Sequence, residues 1–218
     1  LMGGVIEHAR IIYNQNYKRS FCNNIFKYIE LSTIKESEFS EFDCQEIIKF
    51  HQEQKSRYRH QEMLHNGSQS AGNMFNYEHN SIQLLKKCIE RKISCYRQKY
   101  ENSKQNFIKY WPSEFELFGW IVAMQTNGFL TSHNHKEGWL SGSFYLKVPP
   151  RLGNEHDGSI NFSQRGPLYP RKSKTFEEKT IEVNTRDICL FPSSIFHSTI
   201  PFKSKKERIV FVFDILPT

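Results

Sequence analysis

No Cys-x-x-Cys pair occurs anywhere in the 218 residues, and the five cysteines (Cys22, Cys44, Cys88, Cys95, Cys189) are odd in number and irregularly spaced. That excludes a zinc ribbon or a disulfide framework and points to a reducing compartment, the cytoplasm. Uninterrupted apolar runs are short as well. None approaches the length of about 18 residues that crossing a bilayer requires, so no membrane partner is expected. The opening Leu1-Met-Gly-Gly-Val-Ile6 is too brief for a signal peptide. A start at Leu1 rather than Met reads as a fragment of a longer protein with upstream helical repeats. Long blocks of one charge are missing too. Lys and Arg exceed Asp and Glu by 30 to 23, for a net charge of +7, but the cations are scattered. Scattered cations describe a solvated basic surface, not a nucleic-acid footprint. The densest short cluster is Lys203-Ser-Lys-Lys206.

Aromatic residues are plentiful, with 18 Phe and 10 Tyr within a hydrophobic content of 38%. This favours an aromatic-rich β core over disorder, in a chain long enough for one domain with an appendage. Apolar residues recur at three- and four-residue steps over 7–35 (Ile11, Ile12, Tyr13, Tyr17, Phe21, Ile25, Phe26, Ile29), predicting a helix. A further helix start falls at Ser37–Phe42, and Gln45–His60 continues as an amphipathic helix. Asn66-Gly67 and Gly72-Asn73 are turn signals. The strongest helix runs from Ser81 to Tyr100, with Ile82, Leu85, Ile89, Ile93 and Tyr96 on one stripe facing a core. Its Lys86, Lys87, Arg91 and Lys92 read as a solvated face.

Pro112 marks a boundary, after which the period shortens. Leu117–Met124 and Phe129–His135 read as a hairpin around Thr126-Asn-Gly128. Strands follow at Leu140–Val148, Ser159–Phe162, Lys179–Val183, Asp187–Phe191 and Arg208–Ile215. Ser163–Phe176 is a polar insert, either a mobile substrate loop or a plain surface loop. The expected architecture is therefore mainly β with N-terminal helices. Residues 1–110 form a helical region packing on a jelly-roll core at 111–218.

Within that core lies His133-Asn-His135. Side chains at i and i+2 of a strand share a face, so both imidazoles can converge on one point. Neutral imidazole suits iron, copper, nickel and zinc. His197 closes the apolar run from Ile188, and Arg208 opens another, Arg208-Ile-Val-Phe-Val-Phe-Asp214. Arg208 shares its strand face with Val210 and Val212, where a charge needs an anion. That anion is either a cosubstrate acid, held by the guanidinium fork, or a local carboxylate. Open three-ligand sites of this kind serve non-haem Fe(II) oxygenases.

This order resembles the 2-oxoglutarate/Fe(II)-dependent dioxygenases, and most closely a 2OG-Fe(II) oxygenase family of the prolyl-hydroxylase-like group. The resemblance is carried by Phe118-Gly-Trp-Ile-Val122, Gly128, His133-Asn-His135, Gly138-Trp-Leu-Ser-Gly142 and Tyr145-Leu-Lys-Val-Pro149. It continues through Gly158-Ser-Ile-Asn-Phe162, Phe191-Pro-Ser-Ser194, His197-Ser-Thr-Ile-Pro201 and Glu207-Arg208. It implies a double-stranded β-helix (jelly-roll, cupin-like), Fe(II), 2-oxoglutarate and O2, and hydroxylation of an unidentified protein side chain or small molecule. By the same resemblance His133 and His197 are metal ligands. His135 stands where the superfamily usually has a carboxylate. It is a third ligand or a group acting through water, with Glu137 and Asp157 as alternative acids. Tyr145 and Ser143 are either further donors to the cosubstrate acid or parts of the core wall. Trp120, Trp139 and Phe191 read as core, and His8, His51, His60, His65, His79 and His156 as surface groups.

Two rival readings remain from the residues themselves. One is a metal-binding cupin that does not use 2-oxoglutarate. The other is a non-catalytic β-sandwich binding module with incidental histidines.

Overall fold

A computed structural model describes residues 3–14, 21–54, 58–172 and 174–218. Ten strands build two antiparallel sheets. They are β1 (Glu30–Thr33), β2 (Tyr58–Arg59), β3 (Leu64–Ser70), β4 (Phe115–Leu130), β5 (Leu140–Lys147), β6 (Ile160–Ser163), β7 (Glu178–Ile181), β8 (Asp187–Pro192), β9 (Phe196–Thr199) and β10 (Arg208–Pro217). The larger sheet has the order β1-β8-β5-β10-β4-β3-β2, and the smaller β7-β6-β9. An isolated bridge between His133 and His197 links the segment after β4 to the smaller sheet. The result is mainly β, a jelly-roll in which the faces of the larger sheet have separate tasks.

Alternation along β4 shows the division. Leu117, Ile121 and Ala123 join the main apolar cluster, whereas Val122 and Met124 join a second cluster with Phe202. On β10, Phe211, Phe213 and Ile215 turn outward with them. That outer face is covered by α2 (Glu41–Glu53) and α3 (Asn80–Tyr100). The predicted α3 stripe is buried throughout, with Ile82, Leu85, Ile89 and Tyr96 at 0% exposure. Each such side chain contributes about 1.5–3 kcal/mol of burial energy. Phe39 meets Phe144 of β5 edge-on at 5.3 Å, and Phe75 meets Phe211 at 5.1 Å. Ser40 caps α2, with reciprocal bonds to Asp43, and Asp43 also accepts from Ser81 of α3.

Several local expectations are revised. The single helix over 7–35 resolves into α1 (Gly3–Ile12), a 3-10 turn at Ile25–Tyr28 and strand β1; Tyr17 lies outside the described residues. Tertiary pairing explains β1, since Glu30–Thr33 lies in register with Leu190–Asp187 of β8. Helix α2 ends at Glu53, and Tyr58–Arg59 is strand. Asn66-Gly67 makes no chain-reversing turn. Asn66 takes φ 47 at an irregularity inside β3, so region 1–110 contributes three strands to the larger sheet. Likewise Thr126-Asn-Gly128 does not close a hairpin: β4 runs through it as one 16-residue strand, with Asn127 at φ 58.

The polar insert packs on α1. His8 Nε2 lies 3.1 Å from the Pro170 carbonyl, its Nδ1 accepts from Gly166 N–H, and its ring stacks on Phe176 at 4.8 Å. His8 and His51 are therefore buried, at 3% and 1% exposure, and not the surface groups expected. Arg91 and Lys92 of α3 are also engaged, with Glu38 and with Ser32. Cys22, Cys44, Cys88 and Cys189 are buried free thiols, and Cys95 is an exposed one. Among the described residues no helix is long and apolar enough to cross a membrane.

Candidate metal centre

His133 and His197 face each other across a two-way backbone bridge. His133 N–H donates to His197 O at 3.0 Å, and His197 N–H to His133 O at 2.8 Å. His135 N–H donates to Ser193 O at 3.0 Å, which fixes the third backbone. The three rings then approach one another, with centroids 4.4, 5.0 and 5.4 Å apart. One ring nitrogen from each comes within 4.8 Å of the others.

Every Nδ1 has a partner of its own. His133 Nδ1 lies 2.7 Å from Thr131 O, His197 Nδ1 3.2 Å from Ile195 O, and His135 Nδ1 2.7 Å from Asp214 Oδ1. Backbone carbonyls only accept, so His133 and His197 carry their protons on Nδ1 and expose the Nε2 lone pair. Burial holds both imidazoles neutral. His133 is lowered to about 4, by burial first and then by its neighbour His135. His197 is pushed well below the ordinary histidine value, by burial and then by His133 and His135. Neutral imidazoles with Nε2 unblocked are what a first-row divalent metal needs, so the donor set fits iron.

The centre opens on a cavity of about 450 Å³ that Ser143, Tyr145 and Arg208 also line. All six predicted site residues thus share one space. Arg208 is 2% exposed, and its Nε donates to Gly158 O at 3.1 Å. Its guanidinium carbon lies 5.1 Å from the centre of the Tyr145 ring. Burial pulls Arg208 below the ordinary arginine range, and no carboxylate pairs with it among the described residues. The alternative of a local salt bridge therefore fails. The Tyr145 hydroxyl faces Ser143 and Arg208 but forms no well-shaped bond with either, and burial raises it. An unpaired buried cation beside an unsatisfied buried hydroxyl is a receptor for an anion.

Other candidates fall away. Glu137 lines the mouth of the cavity but lies outside the ligand cluster, and Asp157 does not line it at all. Trp139 and Phe191 are core, as expected, with Trp139 Nε1 donating to Phe107 O. Trp120 is not core: it lines the cavity, 5.6 Å from the His135 ring. Asp214, Ser141 and Ser193 were missed. The signal was present for Asp214, which shares the inward phase of Arg208, Val210 and Val212.

The jelly-roll thus brings three histidines that could hold a metal ion and a buried, unpaired guanidinium into one cavity. Residues 119–214 match a family model described as "Putative 2OG-Fe(II) oxygenase". No curated protein matches significantly. Among solved structures, a Pseudomonas putida prolyl-4-hydroxylase is similar at 10% identity and TM-score 0.57, over 87% of this chain and 92% of that one. A Trichoplax adhaerens prolyl hydroxylase, in complex with a hypoxia inducible factor peptide, is similar at 11% and 0.58, over 99% and 90%. HygX from Streptomyces hygroscopicus, with nickel and 2-oxoglutarate bound, is similar at 12% and 0.52, over 89% and 85%.

Proposed function

We propose that this chain is an Fe(II)- and 2-oxoglutarate-dependent oxygenase that hydroxylates a C–H bond of an organic substrate. One observation carries the reading: Arg208, a buried cation without an acid partner among the described residues, shares a cavity with three imidazoles whose ring nitrogens converge. Bound Fe(II), with 2-oxoglutarate and O2, supplies the oxidising chemistry while the cosubstrate becomes succinate and CO2. The protein's residues do the rest. His133, His135 and His197 hold the metal through Nε2. Arg208 grips the remote carboxylate of the cosubstrate with two parallel charge-assisted bonds, and Tyr145 and Ser143 add hydroxyl donors. Val210 and Val212, inward on β10, keep water from that pair and so strengthen it. Beyond the metal, Phe118, Trp120, Met63 and Leu130 line the cavity and receive an uncharged part of the substrate. The substrate class extends over protein side chains and small molecules. Similar structures hold a peptide in one case and hygromycin B in another.

Calorimetric titration of 2-oxoglutarate into anaerobic Fe(II) protein tests this. Wild type is expected to bind it and to convert it to succinate in air, and His197→Ala to lose tight iron binding. Iron binding without any 2-oxoglutarate binding or turnover would leave the metal cupin reading. Absence of metal binding would leave the non-catalytic module.

A further inference from the structure

The third imidazole differs from the other two in what holds it. His133 and His197 lean on backbone carbonyls, but His135 leans on a side-chain carboxylate, Asp214 Oδ1, at 2.7 Å. That carboxylate is 7% exposed and belongs to a polar knot inside an apolar sandwich. Ser141 Oγ lies 2.5 Å from Asp214 Oδ1, 2.8 Å from Ser193 Oγ and 3.0 Å from His135 Nδ1. A hydroxyl has one proton to give, and the acceptor-only carboxylate takes it, which leaves Ser193 to donate to Ser141. Ser193 in turn offers its carbonyl to His135 N–H. Gly138 makes room for the knot, since a Cβ there would lie 2.6 Å from Ser193 Oγ and 3.2 Å from Asp214 Cγ.

A carboxylate buried among apolar strands is costly unless hydrogen bonds offset its desolvation, and here Ser141 Oγ and His135 Nδ1 do so. Its use is legible in the geometry. Register places Asp214 on β10 opposite Ser141 on β5, so two neighbouring strands each send a side chain to His135 Nδ1.

We infer that Asp214 is a positioning residue for the metal centre: it holds His135 with Nδ1 protonated and Nε2 bare, and it returns to the site the negative charge that a histidine at 135 removes. The acid is one bond network further out than a ligating carboxylate would be. It orients the imidazole without occupying a coordination position. This rests on the proposed metal role of the three histidines, though not on 2-oxoglutarate.

The substitution Asp214→Asn is the sharp test, because it keeps size and removes the charge. Ser141 Oγ and His135 Nδ1 share Asp214 Oδ1, so the variant keeps an oxygen for both and loses only the negative charge behind the ring. Titration of Co(II), followed by visible absorption, is expected to show affinity 10–100-fold weaker in Asp214→Asn than in wild type. The thermal midpoints of the metal-free proteins establish that the variant is folded. Should it not fold, 15N shifts of the His135 ring in metal-free wild type decide alone: a protonated Nδ1 and a bare Nε2 are expected. Variant affinity within twofold of wild type, or the opposite tautomer in wild type, overturns the assignment of Asp214. Wild type that binds no Co(II) overturns the metal reading itself.

Discussion

Arg208 is a fully buried guanidinium whose single side-chain bond goes to Gly158 O. Removing it removes a desolvated charge, so the fold tolerates Arg208→Met, while a bound dicarboxylate loses its counter-ion. Iron binding is expected to be unchanged in Arg208→Met and 2-oxoglutarate affinity to fall by about 2–5 kcal/mol, the usual cost of stripping one partner from a buried charge pair. Arg208→Lys keeps the charge without the fork and should fall between. Calorimetry on the anaerobic Fe(II) proteins measures this, and equal affinity in Arg208→Met and wild type would rule out the cosubstrate role. Spacing allowed His133 and His135 to converge and put Arg208 on an inward position, but that they share one site with His197 came from the resemblance. Trp120 and the buried His8 and His51 were not legible. An aromatic ring in an apolar run reads the same whether it faces a core or a cavity, and a lone histidine carries no local sign of burial.

At the scale of elements, the core strands were legible where a short apolar run is bounded by breakers, as on β5 and β10, and α3 declared itself by its stripe. Short N-terminal strands were not, because β1 and β3 owe their conformation to partners far away in sequence. The turn residues at Asn66-Gly67 and Thr126-Asn-Gly128 misled for a related reason: a positive φ serves a kink within a strand as well as a reversal. Gly142 tests the packing of these strands. A Cβ there would sit inside the Phe213 ring, which is fully buried. Gly142→Ala must push that ring into close-packed neighbours, and overpacking of this kind costs about 1–3 kcal/mol. Urea denaturation should show a lower midpoint with an unchanged slope. An unaltered midpoint would mean that β5 and β10 can part without penalty.

The whole molecule carries a pH dependence that its surface does not reveal. His51, stacked on Tyr58 at 4.9 Å and with neither ring nitrogen hydrogen-bonded among the described residues, is lowered by burial to about 4. The unfolded chain takes up that proton near pH 6.5 and the folded chain does not, so stability is full above 6.5 and is lost as pH falls toward 4. Between pH 7 and 5 the histidine alone removes about 2 kcal/mol. His51→Leu should lack this increment, read as the difference in unfolding free energy between the two pH values in variant and wild type. An identical pH dependence in both would exclude burial of a neutral ring as its source. The bridge between His133 and His197 has a consequence at this same scale. The two histidines are hydrogen-bonded backbone neighbours, His133 just past β4 and His197 in β9, so the pair is a staple that ties one layer to the other. Their main chains cannot draw apart unless both bonds break. A cavity made elsewhere between the layers would therefore lower stability while leaving the spacing of these two backbones as it is.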